Sequence, residues 1–189
     1  SIINLRSKPV LLFYRKLSSG AGFVFYMKKI SLSLQGKNKG KYFAIVDEKD
    51  FNKVSKIRWH IHNEKYARSS IGNKRFMHRF ILGVRKEEYI DHINGIKLDN
   101  RRKNLRICTN SENMRNRGAQ KNNKLGIKGV SFHKLSKKYE ARIFINNKKL
   151  HLGLFTSKKF ALIAYNKAAI KYHGKFARLN KLSNQIMAR

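Results

Sequence analysis

The chain is poor in acids: 10 Asp and Glu stand against 44 Lys and Arg in 189 residues, a net charge of +34. A compact chain so charged repels itself, which points to a polyanionic partner. After Glu112 the only acid is Glu140, so the C-terminal part is almost purely cationic. Cysteine is nearly absent as well. Cys108 stands alone, so no internal disulfide forms, and no Cys-x-x-Cys pair exists to build a zinc ribbon. No structural zinc is expected; an intracellular, reducing compartment is compatible with this composition, and a secreted disulfide framework is not. Long apolar runs are missing too. Residues 10–14 and 22–26 are apolar but short, and Arg15, Lys16 and a Ser-Ser-Gly turn divide them, far from a bilayer-spanning length. No long amphipathic helix with a bulky apolar face is evident, so nucleic acid is the expected partner and a membrane is not.

What is present reads as small modules of an α+β chain. Residues 1–26 precede the first methionine, Met27, and are expected to be an upstream extension with Met27 a natural start. From Lys28 the pattern turns to strands. Residues 30–34 alternate strictly, 36–40 form a turn, and 42–46 form a second strand. Residues 47–57 read as a short helix with Phe51, Val54 and Ile57 three apart, and 58–62 with 66–68 as a hairpin around Asn63-Glu64. This N-terminal α+β region, 27–75, is expected either to pack on the following unit and shape a DNA groove or to serve as plain scaffold. His60 and His62 lie on one side of a strand with no third ligand in sight, and are read as structural or solvated.

The stretch Asp91-His92-Ile93-Asn94-Gly95, continuing through Asp99-Asn100-Arg101-Arg102-Lys103-Asn104-Leu105-Arg106 to Ser111-Glu112-Asn113, is the chemical centre. Residues 89–93 read as a strand, Asn94-Gly95 as the start of a turn, and 105–108 as the returning strand. Thr109, Asn110 and Ser111 offer N-caps for a helix with Glu112 in its first turn. In a β-β-α unit of this kind Asp91 and Asn113 could supply oxygens to one divalent cation, for which Mg²⁺ is suited because it prefers oxygen donors and keeps several waters. His92, next along the strand, could take the proton of an attacking water. Asn104 and Asn113 could equally be ordinary turn and helix residues, since Asn-Gly is foremost a turn signal.

Asp91-His92, Asn104 and Asn113 resemble the HNH (His-Me finger, ββα-metal) motif in its His-Asn-Asn variant, as in intron-encoded and phage homing endonucleases. The segment 76–117, with Met77-His78-Arg79 and Asp99-Asn100-Arg101-Arg102, is similar to the homing subtype. The resemblance implies His92 as general base, Asp91 and Asn113 as ligands of Mg²⁺ or Mn²⁺, and Asn104 as the residue that holds the hairpin loop so that His92 faces the phosphate. His78 is a candidate phosphate contact, though a packed histidine is as good a reading. Arg101, Arg102 and Arg106 are candidate phosphate clamps.

Residues 118–125 lack periodicity and read as a basic linker able to follow a phosphate backbone. A second module follows. Residues 127–132, 139–145 and 150–155 read as three strands of an antiparallel sheet with Asn146-Asn147 as a tight turn. A helix over 157–173 ends at Gly174 and carries the core stripe Ala161, Ala164, Tyr165, Ala168, Ala169 and Tyr172. Gly129-Val130, Ala141-Arg142-Ile143, Leu152-Gly153-Leu154-Phe155, Ala164-Tyr165 and the run Gly174 to Asn180 resemble the Apetala or ethylene-response-factor type DNA-binding domain, over 126–180. The resemblance implies a sheet that enters the major groove, with Lys128, Ser131, His133, Lys138, Tyr139, Arg142 and Lys148 facing DNA, Arg142 as base reader and the lysines on phosphate. Tyr139 replaces a tryptophan common in the plant proteins. Residues 181–189 form a basic tail.

The reading is a homing-type HNH endonuclease that hydrolyses double-stranded DNA as a monomer, one strand per site, with one metal and no small-molecule cofactor. A non-catalytic DNA-binding regulator built on the C-terminal domain is the alternative. A general nucleic-acid-packaging protein fits the charge but not two ordered modules.

Overall fold

The computed structural model describes residues 27–32, 40–63, 65–69 and 75–182. The expected extension 1–26 and most of the turn 36–40 lie outside the described residues, as do Glu64 and most of the tail. The chain divides into two compact units, one ending at Cys108 and the other starting at Thr109.

The first unit is built from two-stranded antiparallel pieces. β1 (Met27–Leu32) pairs with β2 (Tyr42–Asp47), and α1 (Glu48–Ser55) follows directly. Alternation turns Ile30 and Leu32 of β1 and Ala44 and Val46 of β2 inward, where Val54 of α1 meets them. β3 (Trp59–His62) and β4 (Tyr66–Ser69) form the second hairpin. Trp59 fills the same core and donates its indole N–H to the Val54 carbonyl at 2.8 Å, so its one polar atom is satisfied inside. α2 (Met77–Leu82), a six-residue helix that the sequence pattern does not announce, adds Met77 and Ile81 and ends at Gly83 in the left-handed region with φ 68°. The third hairpin joins β5 (Tyr89–His92) to β6 (Leu105–Cys108). Its long loop is stitched to the edge of β2. The Ile45 N–H donates to the Leu98 carbonyl and the Asn100 N–H to the Ile45 carbonyl, both at 2.8 Å.

The second unit opens with α3 (Asn110–Arg115), capped by a Thr109–Glu112 capping box. β7 (Val130–His133), β8 (Lys138–Ile145) and β9 (Lys148–Phe155) form an antiparallel sheet in that order, and α4 (Lys158–His173) lies on it. Asn146 and Asn147 both take positive φ, 47° and 63°, as a two-residue β8–β9 turn requires. Ala141 and Ile143 of the sheet pack with Ala161, Leu162, Tyr165, Ala168 and Ala169 of the helix. The helix stripe differs from expectation at its edges: Leu162 and His173 are buried, and Tyr172 is exposed. Gly129 sits under Tyr165. A Cβ there would come 2.2 Å from the Tyr165 ring, so only glycine allows the helix this close. Asn180 closes the unit: its amide bonds the Lys128 N–H at 2.8 Å and the Lys128 carbonyl at 3.0 Å, while Asn166 holds its backbone. The Lys128 ammonium donates to the Arg115 carbonyl, which ties the C-terminal end of α3 to the start of the sheet.

Candidate active site

The β5–β6 hairpin sets Asp91 opposite Arg106 and His92 opposite Leu105. The loop between the strands is fastened by Asn104. Its Oδ1 accepts from the Asn94 N–H at 2.9 Å, its Nδ2 donates to the Asp99 carbonyl at 2.8 Å, and its carbonyl accepts from the Ile93 N–H at 2.9 Å. Asn104 thus holds both ends of the loop that leaves His92. Asn94 adds an internal turn: its Oδ1 accepts from the Ile96 N–H and its Nδ2 donates to Asp99 Oδ2, each at 2.8 Å. Asp99, to which the sequence reading assigned no role, is therefore a hub of the loop.

His92 is 1% exposed. The His78 ring meets it edge to face with centroids 5.2 Å apart, and Tyr66 does so at 6.2 Å. Burial, with the charge of Lys97, pushes the His92 imidazole down to about 4, against the opposing pull of the Asn100 side chain, Asp91 and Asp99. The ring is neutral at neutral pH and so carries a nitrogen lone pair. Asn100, 1% exposed and placed beside the ring, is a further residue that motif spacing alone did not single out. His78 lies stacked on Phe76 and is pushed down to about 3 by burial and by His92, Arg79 and Lys97. It packs within the same cluster of rings.

The three arginines expected to clamp phosphate each hold a buried carboxylate. Arg106 directs Nε and Nη2 at Asp91 Oδ2, at 2.9 and 2.6 Å. Arg101 chelates Asp99 at 2.7 and 2.6 Å. Arg102 chelates Asp50 at 2.8 and 2.9 Å and also donates to the Ile81 carbonyl. Burial alone would raise the Asp50 pKa, but the hydrogen bonds of Arg102 and Lys53 outweigh it and leave it lowered. Charges inside a fold require partners, and the folded chain supplies these arginines as partners.

Among the described residues no group of three or more His, Cys, Asp or Glu could hold a metal ion. The Asp91 carboxylate is a hard oxygen donor of the kind Mg²⁺ or Mn²⁺ takes, and its Oδ2 is held by Arg106. Asn113 is half-buried on α3, in the second unit.

In the second unit the face of the sheet away from α4 carries Ser131, His133, Lys138, Glu140 and Arg142. Glu140 is its centre, with Arg142 Nη1 at 3.3 Å, His151 Nδ1 at 3.2 Å and Ser131 Oγ at 3.4 Å. His133 accepts from the Ser136 N–H and fixes its own turn. Three residues expected on this face lie elsewhere. Tyr139 shares the parity of Ala141 and Ile143, packs on the core and meets Phe132 at 5.3 Å. Lys148 pairs with Ile145, on the helix side of the sheet edge. Lys128 is tucked inward, where burial and the charge of Arg178 push it down to about 8.

The family model for HNH endonucleases matches residues 83–115, the span of β5, its loop, β6 and α3. An uncharacterized HNH endonuclease of Acanthamoeba polyphaga mimivirus is 30% identical over 159 residues, covering 81% of this chain and 82% of the relative. The chain belongs to the HNH endonuclease family. No solved structure matches. An HNH endonuclease acts on DNA, in keeping with a charge of +34, and within this family the neutral His92 beside Asp91 stands where the matched segment begins its hairpin.

Proposed function

We propose that this HNH endonuclease is of the homing, intron-encoded type and nicks one DNA strand per monomer. The observation that carries the catalytic part of this reading is His92: buried, neutral, and fixed next to Asp91 at the start of a loop that Asn104 ties at both ends. His92 takes a proton from the attacking water on its unprotonated ring nitrogen. Asn104 holds the loop so that the ring keeps one direction. Arg106 orients the Asp91 carboxylate through Oδ2. The family resemblance carries Asp91 and Asn113 as oxygen ligands of Mg²⁺ or Mn²⁺. Such a cation, when bound, supplies charge stabilisation at the phosphate and the departing 3′ oxygen.

The second unit serves as the sequence reader in this account, in the manner of the ethylene-response-factor type domain. Arg142 reads a base and Lys138 binds phosphate from the face opposite α4, with Ser131 and His133 beside them. Support comes from a three-stranded sheet backed by a helix, and from a sequence in which Glu140 is the only acid after Glu112. The experiment is conversion of a supercoiled plasmid library with Mg²⁺ or with EDTA. The account expects nicked circles first, linear DNA late, and neither in EDTA; prompt linear product from a monomer, or cutting in EDTA, would overturn it.

A further inference from the structure

Next to the His92 cluster the first unit holds a cavity of about 910 Å³, bounded by β4, α2 and the turn that leads into β5. One part of its lining is aromatic, from Tyr66, Phe76 and Tyr89; another is cationic, from Arg75, Arg85 and Lys86. Among the described residues no Asp or Glu lines it. The turn that forms one wall is braced. Arg79 donates from Nη1 to the Glu88 carbonyl at 2.8 Å and from Nη2 to the Arg85 carbonyl. The Glu88 carboxylate is drawn onto the Arg85 N–H at 2.7 Å. Tyr66 and His78 line the cavity and also touch the His92 ring. The cavity and the general base therefore share a wall.

We propose that this cavity takes one unstacked nucleotide of the DNA strand beside the scissile phosphate, its base against the Tyr89 ring and its neighbouring phosphates on Arg75, Arg85 and Lys86. The position beside the scissile phosphate rests on the reading of His92 as the base that cuts DNA. Phe76 is already stacked on His78, and Tyr66 lies among Phe76, His78 and His92, so the exposed Tyr89 ring is the stacking face. A paired, stacked base presents only its edge to a protein, so an intact duplex would use the cations and leave the Tyr89 ring unstacked. An extruded base uses both. The volume falls within the range of pockets that enclose a small organic ligand. Base stacking on aromatic rings tolerates any sequence, because every base has a π face. The energetic cost of extrusion is least where the base has no pairing partner.

The test needs no cleavage. The full chain is titrated, without metal, into two fluorescent duplexes identical except for one unpaired thymidine. The proposal expects about tenfold tighter binding to the duplex with the unpaired base, from the worth of one aromatic stack. Tyr89→Ala should abolish that preference and leave affinity for the paired duplex unchanged; Tyr89 is 47% exposed, so folding is not at stake. 5-Iododeoxyuridine at the unpaired position should crosslink to Tyr66, Phe76 or Tyr89. Equal affinity for the two duplexes, a preference that survives Tyr89→Ala, or crosslinks confined to the second unit would each overturn it. A chain that shows the preference but never cuts plasmid DNA would sink the nuclease reading and keep the cavity. A chain that cuts without the preference does the reverse.

Discussion

The ring of His78 stands edge-on to the ring of His92, centroids 5.2 Å apart and planes at 77°. Two buried imidazoles in contact cannot both carry charge cheaply, and His92 adds to the burial that lowers the proton affinity of His78. His78 ordinarily titrates at 6.5 and is held at about 3 in the fold, with burial the main cause. Between those values the unfolded chain binds more protons than the folded one, so stability is full above the unfolded value and is lost as pH falls through the window. We expect the first unit, followed by fluorescence of its single tryptophan, Trp59, to lose roughly 1 kcal/mol per pH unit per buried histidine below pH 6.5. His78→Phe, which keeps the stack on Phe76, should reduce that slope. A slope indifferent to His78 would show that its burial is not what destabilises the acid state.

Asn104 ties both ends of the active loop, so its loss should appear in turnover more than in substrate affinity. Asn104→Ala removes two buried side-chain hydrogen bonds, each costing about 1–3 kcal/mol when a partner is left unsatisfied. Asn104→Asp keeps the acceptor for the Asn94 N–H and removes the donor to the Asp99 carbonyl, and should be intermediate in both stability and kcat. Paired melting curves and single-turnover rates check this. An unchanged kcat in Asn104→Ala would remove its positioning role.

Arg102 separates two accounts of the same residue. As the partner of buried Asp50, its replacement by Ala should destabilise the first unit by about 2 kcal/mol, below the usual range for a broken buried pair because Lys53 remains at 3.0 Å. The salt dependence of DNA binding should be unchanged. If Arg102 were instead a phosphate clamp, the log–log salt slope would fall by about 1 and stability would hold.

Gly129 and Tyr139 test the second unit. Gly129 has φ 72°, and a Cβ there would meet Tyr165 at 2.2 Å and the Arg142 carbonyl at 2.6 Å. Gly129→Ala should therefore unfold the sheet-and-helix unit or shift it grossly, as seen by circular dichroism. Tyr139→Ala should lower stability by about 3 kcal/mol or less, since the ring is only partly buried. Arg142→Ala should leave stability intact and weaken binding to a specific site by about 1–3 kcal/mol. The reverse pattern, Tyr139 governing DNA and Arg142 governing stability, would exchange the faces of the sheet.

Local features were legible in the sequence where the deciding contacts are local. The strands β5 and β6, a helix N-cap among Thr109, Asn110 and Ser111, of which the fold uses Thr109, the Asn146-Asn147 turn and the sheet-then-helix order all follow from residues within a few positions of each other. The partner of Arg102 was not legible, because Asp50 lies 52 residues away and only the folded first unit brings them together. Tyr139 was misplaced for a different reason. Tyr139 and Arg142 are three apart on a strand of period two, so they cannot share a face. Asn100 stands in the run Asp99-Asn100-Arg101-Arg102 that carries the resemblance but had no role there, because its place beside His92 depends on the bond of its N–H to Ile45 of β2.

The central claim is that His92 removes the proton from water. The most direct measurement is the single-turnover cleavage rate of His92→Ala against the parent chain, in saturating Mg²⁺ on a mapped target site, with binding to that site measured in parallel. The account predicts a rate lower by about 10²–10⁴, the usual worth of general base catalysis, with binding within about twofold because the variant leaves both the phosphate contacts and the second unit in place. Cleavage by His92→Ala at the parent rate would contradict it.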